Sequence, residues 1–275
     1  MPRGLCPLGF PYPRAWAMVE RPMWRYEKGA FFPETFSLPE EARLVLVVNG
    51  TPWTALSYTP GEEAYLALGH LFLSGVLGGL EGVRFRVGEG MVLVDLPKVP
   101  RRGLGTRDSG CAAGLRYGEP RLVPLPQLSL DPELPIRLLA QLREGLRLYP
   151  RTRGIHGAAL FDPEGNLLYL SEDIGRHNAV DRLAGYMLLE RVSPPVLVAS
   201  TGRVSQEMAA KAIAMGAVLL ASRTGATGEA VTLARTYGLA LAAYVRPGGY
   251  RLYAPGGILR PWALPSFPRP PGGPS

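Results

Sequence analysis

The sequence predicts an α/β protein: a layered core over residues 136–261, behind a smaller, mainly β region at 20–135. Three observations predict it. A β-α-β-α-β rhythm runs from Val196 to Val245; both crossover segments end at a glycine, Gly216 and Gly238; and apolar strand-like runs dominate the first hundred residues. Crossovers of this length imply parallel strands with helices packed on the sheet.

Element by element, residues 1–19 read as a flexible lead-in rich in proline, and 262–275 as a flexible tail. Ala42 to Asn49 and Trp53 to Tyr58 are strands. Thr59-Pro60 opens a helix with Glu62 and Glu63 in its first turn and Leu66, Gly69, Leu73 and Leu77 near helical spacing. Phe85–Val87 and Met91–Leu96 form a hairpin around Gly88-Glu89-Gly90. Residues 97–135 are irregular and carry seven prolines. Ile136 to Leu148 is amphipathic at helical spacing. Gly157–Phe161 and Leu167–Leu170 bracket the turn Asp162-Pro163-Glu164-Gly165-Asn166, and Asn178–Glu190 is a helix. Val196–Ala199, Ala217–Ala221 and Leu239–Val245 are strands, separated by helices at Ser205–Met215 and Gly228–Tyr237 whose first turns hold Glu207 and Glu229.

At 275 residues the chain can bury one large core or two modest ones, and 47% hydrophobic with 19% charged residues excludes a disordered chain. No run reaches the roughly 18–20 apolar residues of a membrane span; Ala209–Ser222 is shorter and contains Lys211. Arg3, Arg14, Glu20 and Arg21 argue against a leader peptide, so a cytoplasmic protein is expected. Two cysteines, Cys6 and Cys111, exclude a disulfide framework and a four-thiolate zinc site. The net charge of +7, with 27 arginines against 3 lysines, favours an anionic partner. RNA is one class, but the chain lacks the clustered aromatic and basic residues of base-stacking surfaces, and no nucleic acid is expected.

Three places can carry chemistry. The first is the carboxyl rim of the parallel strands, the default ligand crevice of an open α/β sheet. Thr201-Gly202-Arg203 follows one strand, Arg223-Thr224-Gly225-Ala226-Thr227 the next, and Tyr244-Val245-Arg246-Pro247-Gly248-Gly249 ends the third. Arginines beside helix N-termini suit phosphates, while the absence of Walker and dinucleotide glycine patterns argues against a P-loop ATPase or a Rossmann dehydrogenase. The alternative is turn glycines beside solvated arginines. The second is Glu172-Asp173-Ile174-Gly175-Arg176-His177-Asn178-Ala179-Val180-Asp181, where His177 beside carboxylates offers an acid, a base or a ligand. Here the alternative is that Asn178 caps a helix and the charges pair with one another. No metal site is expected: His156, His177 and Asp173 lack ligand spacing. The third is Cys111, in a glycine-rich segment from Lys98 to Arg121 with six cations and two acids. Such surroundings favour the reactive thiolate.

The segments EDIGRHNAVDRLAG (172–185) and TGRVSQEMAAKA (201–212), with TPGEEAYLALGHL (59–71), HGAAL (156–160) and the YVRPGGYRLY ending, resemble the formate dehydrogenase accessory sulfurtransferase family from about Glu20 to Tyr253. The resemblance implies a cytidine-deaminase-like fold, a homodimer, and a sulfur carrier working with a cysteine desulfurase and formate dehydrogenase. Cys111 would carry a persulfide. The molybdenum bis(molybdopterin guanine dinucleotide) cofactor would be held by Arg203, Arg223, Thr224, Thr227, Tyr244 to Gly249, His177 and Asp173, and guanine nucleotides would serve as surrogates. Deaminase chemistry is not expected, since His156 is followed by Gly-Ala-Ala without a glutamate. The chain departs from the family in three places. Cys111-Ala112-Ala113-Gly114 lacks the second cysteine, Thr224-Gly225-Ala226-Thr227 replaces Ser-Ala-Pro-Thr, and Ser74-Gly75 replaces Glu-Gly. The missing thiol leaves a rival reading, a chaperone that delivers the cofactor without moving sulfur.

Overall fold

A computed structural model describes residues 18–98 and 120–257 and shows a mixed α/β protein built on three sheets. It begins with a two-stranded antiparallel ribbon, β1 (Met18–Glu27) and β2 (Ala30–Pro39), turning at Lys28 and Gly29 with φ of 48° and 87°. Both turn residues adopt the left-handed conformation of a tight hairpin. β3 (Ala42–Val48) and β4 (Thr51–Tyr58) follow, then α1 (Glu63–Leu73), β5 (Arg84–Gly88) and β6 (Met91–Asp95). These four strands form a sheet of order β4-β3-β6-β5, in which β3 and β6 run parallel. Leu44, Leu46, Val92 and Val94 pack from it against Leu66, Leu68 and Leu71 of α1.

The second half starts with α2 (Leu134–Gly145) and α3 (Tyr149–Thr152). The helix expected over 136–148 therefore divides: α2 stops at Gly145, Leu146 turns extended (ψ 132°), and a separate turn of helix begins at Tyr149. The hairpin β7 (His156–Phe161) and β8 (Leu167–Asp173) is longer than expected, its pairing running on to His156 opposite Asp173. Then come α4 (Arg176–Leu189), β9 (Val196–Ser200), α5 (Gln206–Ala214), β10 (Ala217–Ser222), α6 (Gly228–Tyr237), β11 (Ala240–Arg246) and β12 (Gly249–Ala254). The six strands order as β12-β11-β10-β9-β7-β8, with β9, β10 and β11 parallel as the crossover rhythm requires.

Every residue of β9 and β10 is buried, which explains their uninterrupted apolar runs. Leu134, Leu138 and Leu142 of α2 recur on one helical stripe and cross the sheet, each contributing about 1.5–3 kcal/mol by burial. α4, α5 and α6 form the other helical layer, and the small sheet joins it through α1 and α4. That seam is backbone on backbone: a Cβ at Gly69 would lie 1.7 Å from the Asp181 carbonyl oxygen, and one at Gly185 would lie 1.9 Å from that of Tyr65.

Candidate functional site

The carboxyl ends of β9, β10 and β11 open into a cavity of about 620 Å³. One wall is α2 and its continuation, including Ile136, Leu139, Leu142, Leu146 and Tyr149; the other holds Thr201, Arg223, Val245, Arg246 and Pro247. Arg143 and Arg153 bring the guanidinium groups on its lining to four, against one acid, Glu144. A planar or apolar body fits the α2 side, and anionic groups fit the arginines.

The two loops that follow β9 and β10 are zipped together. The Val204 N–H donates to the Gly225 carbonyl at 3.0 Å, and the Thr227 N–H donates to that of Val204 at 3.0 Å. Ser205 and Thr227 cap α5 and α6, their hydroxyls accepting from the Met208 and Ala230 amides at 3.4 Å. Thr224 shares a hydroxyl contact with Ser222 at 3.3 Å, and its carbonyl accepts from the Tyr244 N–H at 3.0 Å. Tyr244 has φ 53° and carries the Arg251 guanidinium 4.8 Å above its ring. Arg246 Nη1 donates to the Arg223 carbonyl at 2.5 Å, tying two rim arginines together. Thus Arg223, Val245, Arg246 and Pro247 share the cavity; Thr224 and Thr227, in the connection after β10, and Tyr244, in β11, lie outside its lining, as do Gly248 and Gly249 where β11 turns into β12. Arg203 is exposed and lines neither this cavity nor the one beside it.

The segment Glu172–Asn178 divides between support and a second cavity. Glu172 accepts from the Arg147, Leu148 and Tyr149 amides at 2.8–3.1 Å, holding the start of α3. Asp173, fully buried, accepts from Arg182 Nη2 at 2.8 Å, Asn178 Nδ2 at 2.9 Å and the Gly175 amide at 2.8 Å. Its oxygens are thus occupied, and it lines neither cavity. The N-cap of α4 is Gly175, not Asn178, which sits inside the first turn and donates to Asp173 and the Ser57 carbonyl. His177 stands apart: Nδ1 meets Glu207 Oε1 at 2.9 Å, while Nε2 is buried without a partner. It lines the second cavity, about 500 Å³, with Glu41, Arg43, His156 and Arg176. The two cavities meet where Thr201 Oγ1 lies 3.4 Å from His156 Nδ1.

Behind His177 runs a buried chain of charge. Lys211 Nζ lies 3.3 Å from Glu207 and 2.7 Å from Asp181, whose other oxygen is 3.1 Å from His70 Nδ1. Burial alone would raise the Asp181 carboxyl, yet Lys211 and His70 hold it below the usual range. Burial would lower Lys211, and Asp181 with Glu207 raises it instead. Burial and the neighbouring Arg176 charge both lower His156, which favours its neutral form. Among the described residues no group of three or more His, Cys, Asp or Glu could hold a metal ion. Cys111 lies outside the described residues, as does Cys6.

Residues 39–258 match the model of the FdhD/NarQ family. The chain belongs to that family. It is 33% identical over 263 residues to the "Sulfur carrier protein FdhD" of Streptomyces avermitilis, covering 85% of this chain and 93% of the relative. The Bacillus subtilis protein of the same name is 30% identical over 247 residues, covering 85% and 94%. A crystal structure from Desulfotalea psychrophila, of a protein proposed as a formate dehydrogenase accessory protein, superposes with a TM-score of 0.75 at 25% identity. It covers 88% of this chain and all of that one.

Sequence reasoning missed several residues that this FdhD/NarQ chain brings to its cavities: Arg143 and Arg153 in the first, Arg43 in the second, and Glu207 against His177; Arg176, inside the segment singled out, was given no role of its own. One signal was available. A lysine flanked by AA and AIA must find an acid, and Lys211 pairs with the buried Asp181 and the half-buried Glu207.

Proposed function

We propose that this FdhD/NarQ chain is a sulfur carrier. It takes persulfide sulfur from a cysteine desulfurase and passes it to the molybdenum bis(guanine dinucleotide) cofactor before insertion into formate dehydrogenase. The observation that carries the reading is the first cavity, where Arg223 and Arg246 at the strand ends stand opposite an apolar wall that itself bears Arg143 and Arg153. A polyphosphate dinucleotide presents that combination of charge and flat ring surface. Relatives named as sulfur carriers support the sulfur half.

In the transfer step, the Cys111 thiolate attacks the outer sulfur of the desulfurase persulfide. A new S–S bond forms on Cys111, the donor's S–S bond breaks, and the donor cysteine leaves as thiolate. The cations between Lys98 and Arg121 favour the attacking thiolate and the anionic product. The parallel order β9-β10-β11 under two helical layers supports a cytidine-deaminase-like core. A cytoplasmic homodimer completes the proposal, on the family likeness; no helix among the described residues is long and apolar enough to cross a membrane.

The single cysteine in Cys111-Ala112-Ala113-Gly114 favours a second reading, a chaperone that carries the cofactor without moving sulfur. Intact-mass measurement after incubation with a cysteine desulfurase and cysteine separates the two. A one-sulfur increment that disappears in Cys111→Ala is expected; its absence in the parent protein leaves the chaperone. Arg223→Gln is expected to weaken GDP, used as a surrogate, by roughly tenfold, and equal GDP affinity would remove the first cavity from the account.

A further inference from the structure

The second cavity has no part in the proposal above, yet its lining is built for a ligand. It lies where the small sheet faces the start of α4, bounded by Arg43 of β3 and Ala55, Leu56 and Ser57 of β4 on one side. Gly175, Arg176 and His177 bound the other, with His156 of β7 beside them. α4 is a 14-residue helix whose N-cap, Gly175, offers no side chain to its first-turn amides. Those N–H groups have no intrahelical acceptor and carry the positive end of the helix dipole.

Independent of the helix end, two side-chain nitrogens are buried there without a hydrogen-bond partner, Arg176 Nε and His177 Nε2. Buried polar atoms are satisfied in the great majority of cases, so two orphans lining one cavity indicate a missing partner. Neither group is free to turn away. The His177 side chain is only 10% exposed, and its ring is fixed by the 2.9 Å contact of Nδ1 with Glu207. The Arg176 stem lies on Gly202, where a Cβ would come within 2.8 Å of it. Glu41, exposed at the rim, is the one acid on this lining, against two guanidinium groups and two imidazoles.

The geometry points to a phosphomonoester site, with the phosphate at the N-terminus of α4 between Arg43, Arg176 and His177. Guanidinium groups and helix amides bind phosphate oxygens through charge-assisted hydrogen bonds. An imidazole nitrogen can accept from a protonated phosphate oxygen or, when protonated, donate to an ionised one. A volume of about 500 Å³ exceeds a bare phosphate, and Ala55, Leu56 and Ile174 supply a less polar wall for the esterified part.

The test uses the full chain with two probes, inorganic phosphate and ribose 5-phosphate. Calorimetry and the imidazole ¹⁵N signals of His177 are followed together. Saturable binding of ribose 5-phosphate that moves the His177 Nε2 signal is expected, with inorganic phosphate binding more weakly. Arg176→Gln and His177→Gln should each weaken it roughly tenfold. Arg43→Gln, at an exposed position where folding is not at stake, should weaken it as well. Arg223→Gln, in the other cavity, and Cys111→Ala should leave it unchanged, so that failure here is distinct from failure of the sulfur reading. Absence of saturation overturns the site, as does binding indifferent to both Arg43→Gln and Arg176→Gln, or binding lost in Arg223→Gln. Inorganic phosphate binding as tightly as the ester overturns the ester assignment.

Discussion

Lys211→Met should be among the most damaging single changes in the molecule, and between pH 8 and pH 5 it should bring a pH dependence that this pairing does not give the parent protein. Lys211 Nζ sits 2.7 Å from Asp181 and 3.3 Å from Glu207, and Asp181 is 1% exposed. Methionine fills nearly the same volume but leaves the carboxylate with His70 alone, and breaking a buried pair from one side costs about 3–5 kcal/mol. In the parent, Asp181 is held below its ordinary value of 3.8, so its pairing stabilises the fold above that pH and is lost as the pH falls through the folded value. Lys211 is held above 10.5, so its contribution is complete below that pH and is lost as the pH rises through the folded value. In the variant, burial dominates Asp181 and raises it, so acidification towards pH 5 neutralises the stranded charge and restores stability. Urea unfolding followed from pH 8 to pH 5 is the assay, with an unchanged slope confirming that only stability moved. Asp181→Asn combined with Lys211→Met should recover much of the loss. A Lys211→Met midpoint within about 1 kcal/mol of the parent at pH 7 would refute the reasoning. So would a gap between variant and parent that fails to narrow on acidification to pH 5.

Two further changes test the scaffold. Gly69→Ala drives a methyl group into the Asp181 carbonyl and should cost about 3 kcal/mol by forcing α1 off α4, whereas Gly78→Ala, with nothing within 4 Å, serves as the control in the same denaturation series. Glu172→Ala should release the amides of Arg147, Leu148 and Tyr149, read as faster hydrogen exchange at those three positions and a loss of about 1–3 kcal/mol.

The parallel core was legible because burial on both faces makes a strand apolar throughout, as in Val196–Ser200, and because Gly216 and Gly238 take the left-handed conformation (φ 71° and 77°) their positions after helices imply. The ribbon at 18–39 was not legible. Trp24, Tyr26 and Phe31 are 64–69% exposed on it, so no alternation marks its faces, and Pro22 and Pro33 argue locally against a strand. β8 ran past Leu170 because Ser171, Glu172 and Asp173 read as polar loop, while in the fold Glu172 and Asp173 are taken up by α3 and α4. The rim arginines could be placed from strand ends, but which cavity each would reach could not. Arg223 is the first residue after β10 and lines the cavity, whereas Arg203 is the third after β9, level with Gly225, and does not. The pairing of His70 with Asp181 spans 111 residues, beyond any local pattern.

The glycine seam between α1 and α4 has a consequence for what the second cavity can admit. One wall of that cavity belongs to the small sheet and the opposite wall to α4. α1 carries the small sheet through Leu66, Leu68 and Leu71 and meets α4 at Gly69 and Gly185, where backbone touches backbone. The spacing of the two walls is therefore anchored at one end like the pivot of a caliper, and the thickness of what fits between them follows from how closely α1 seats on α4.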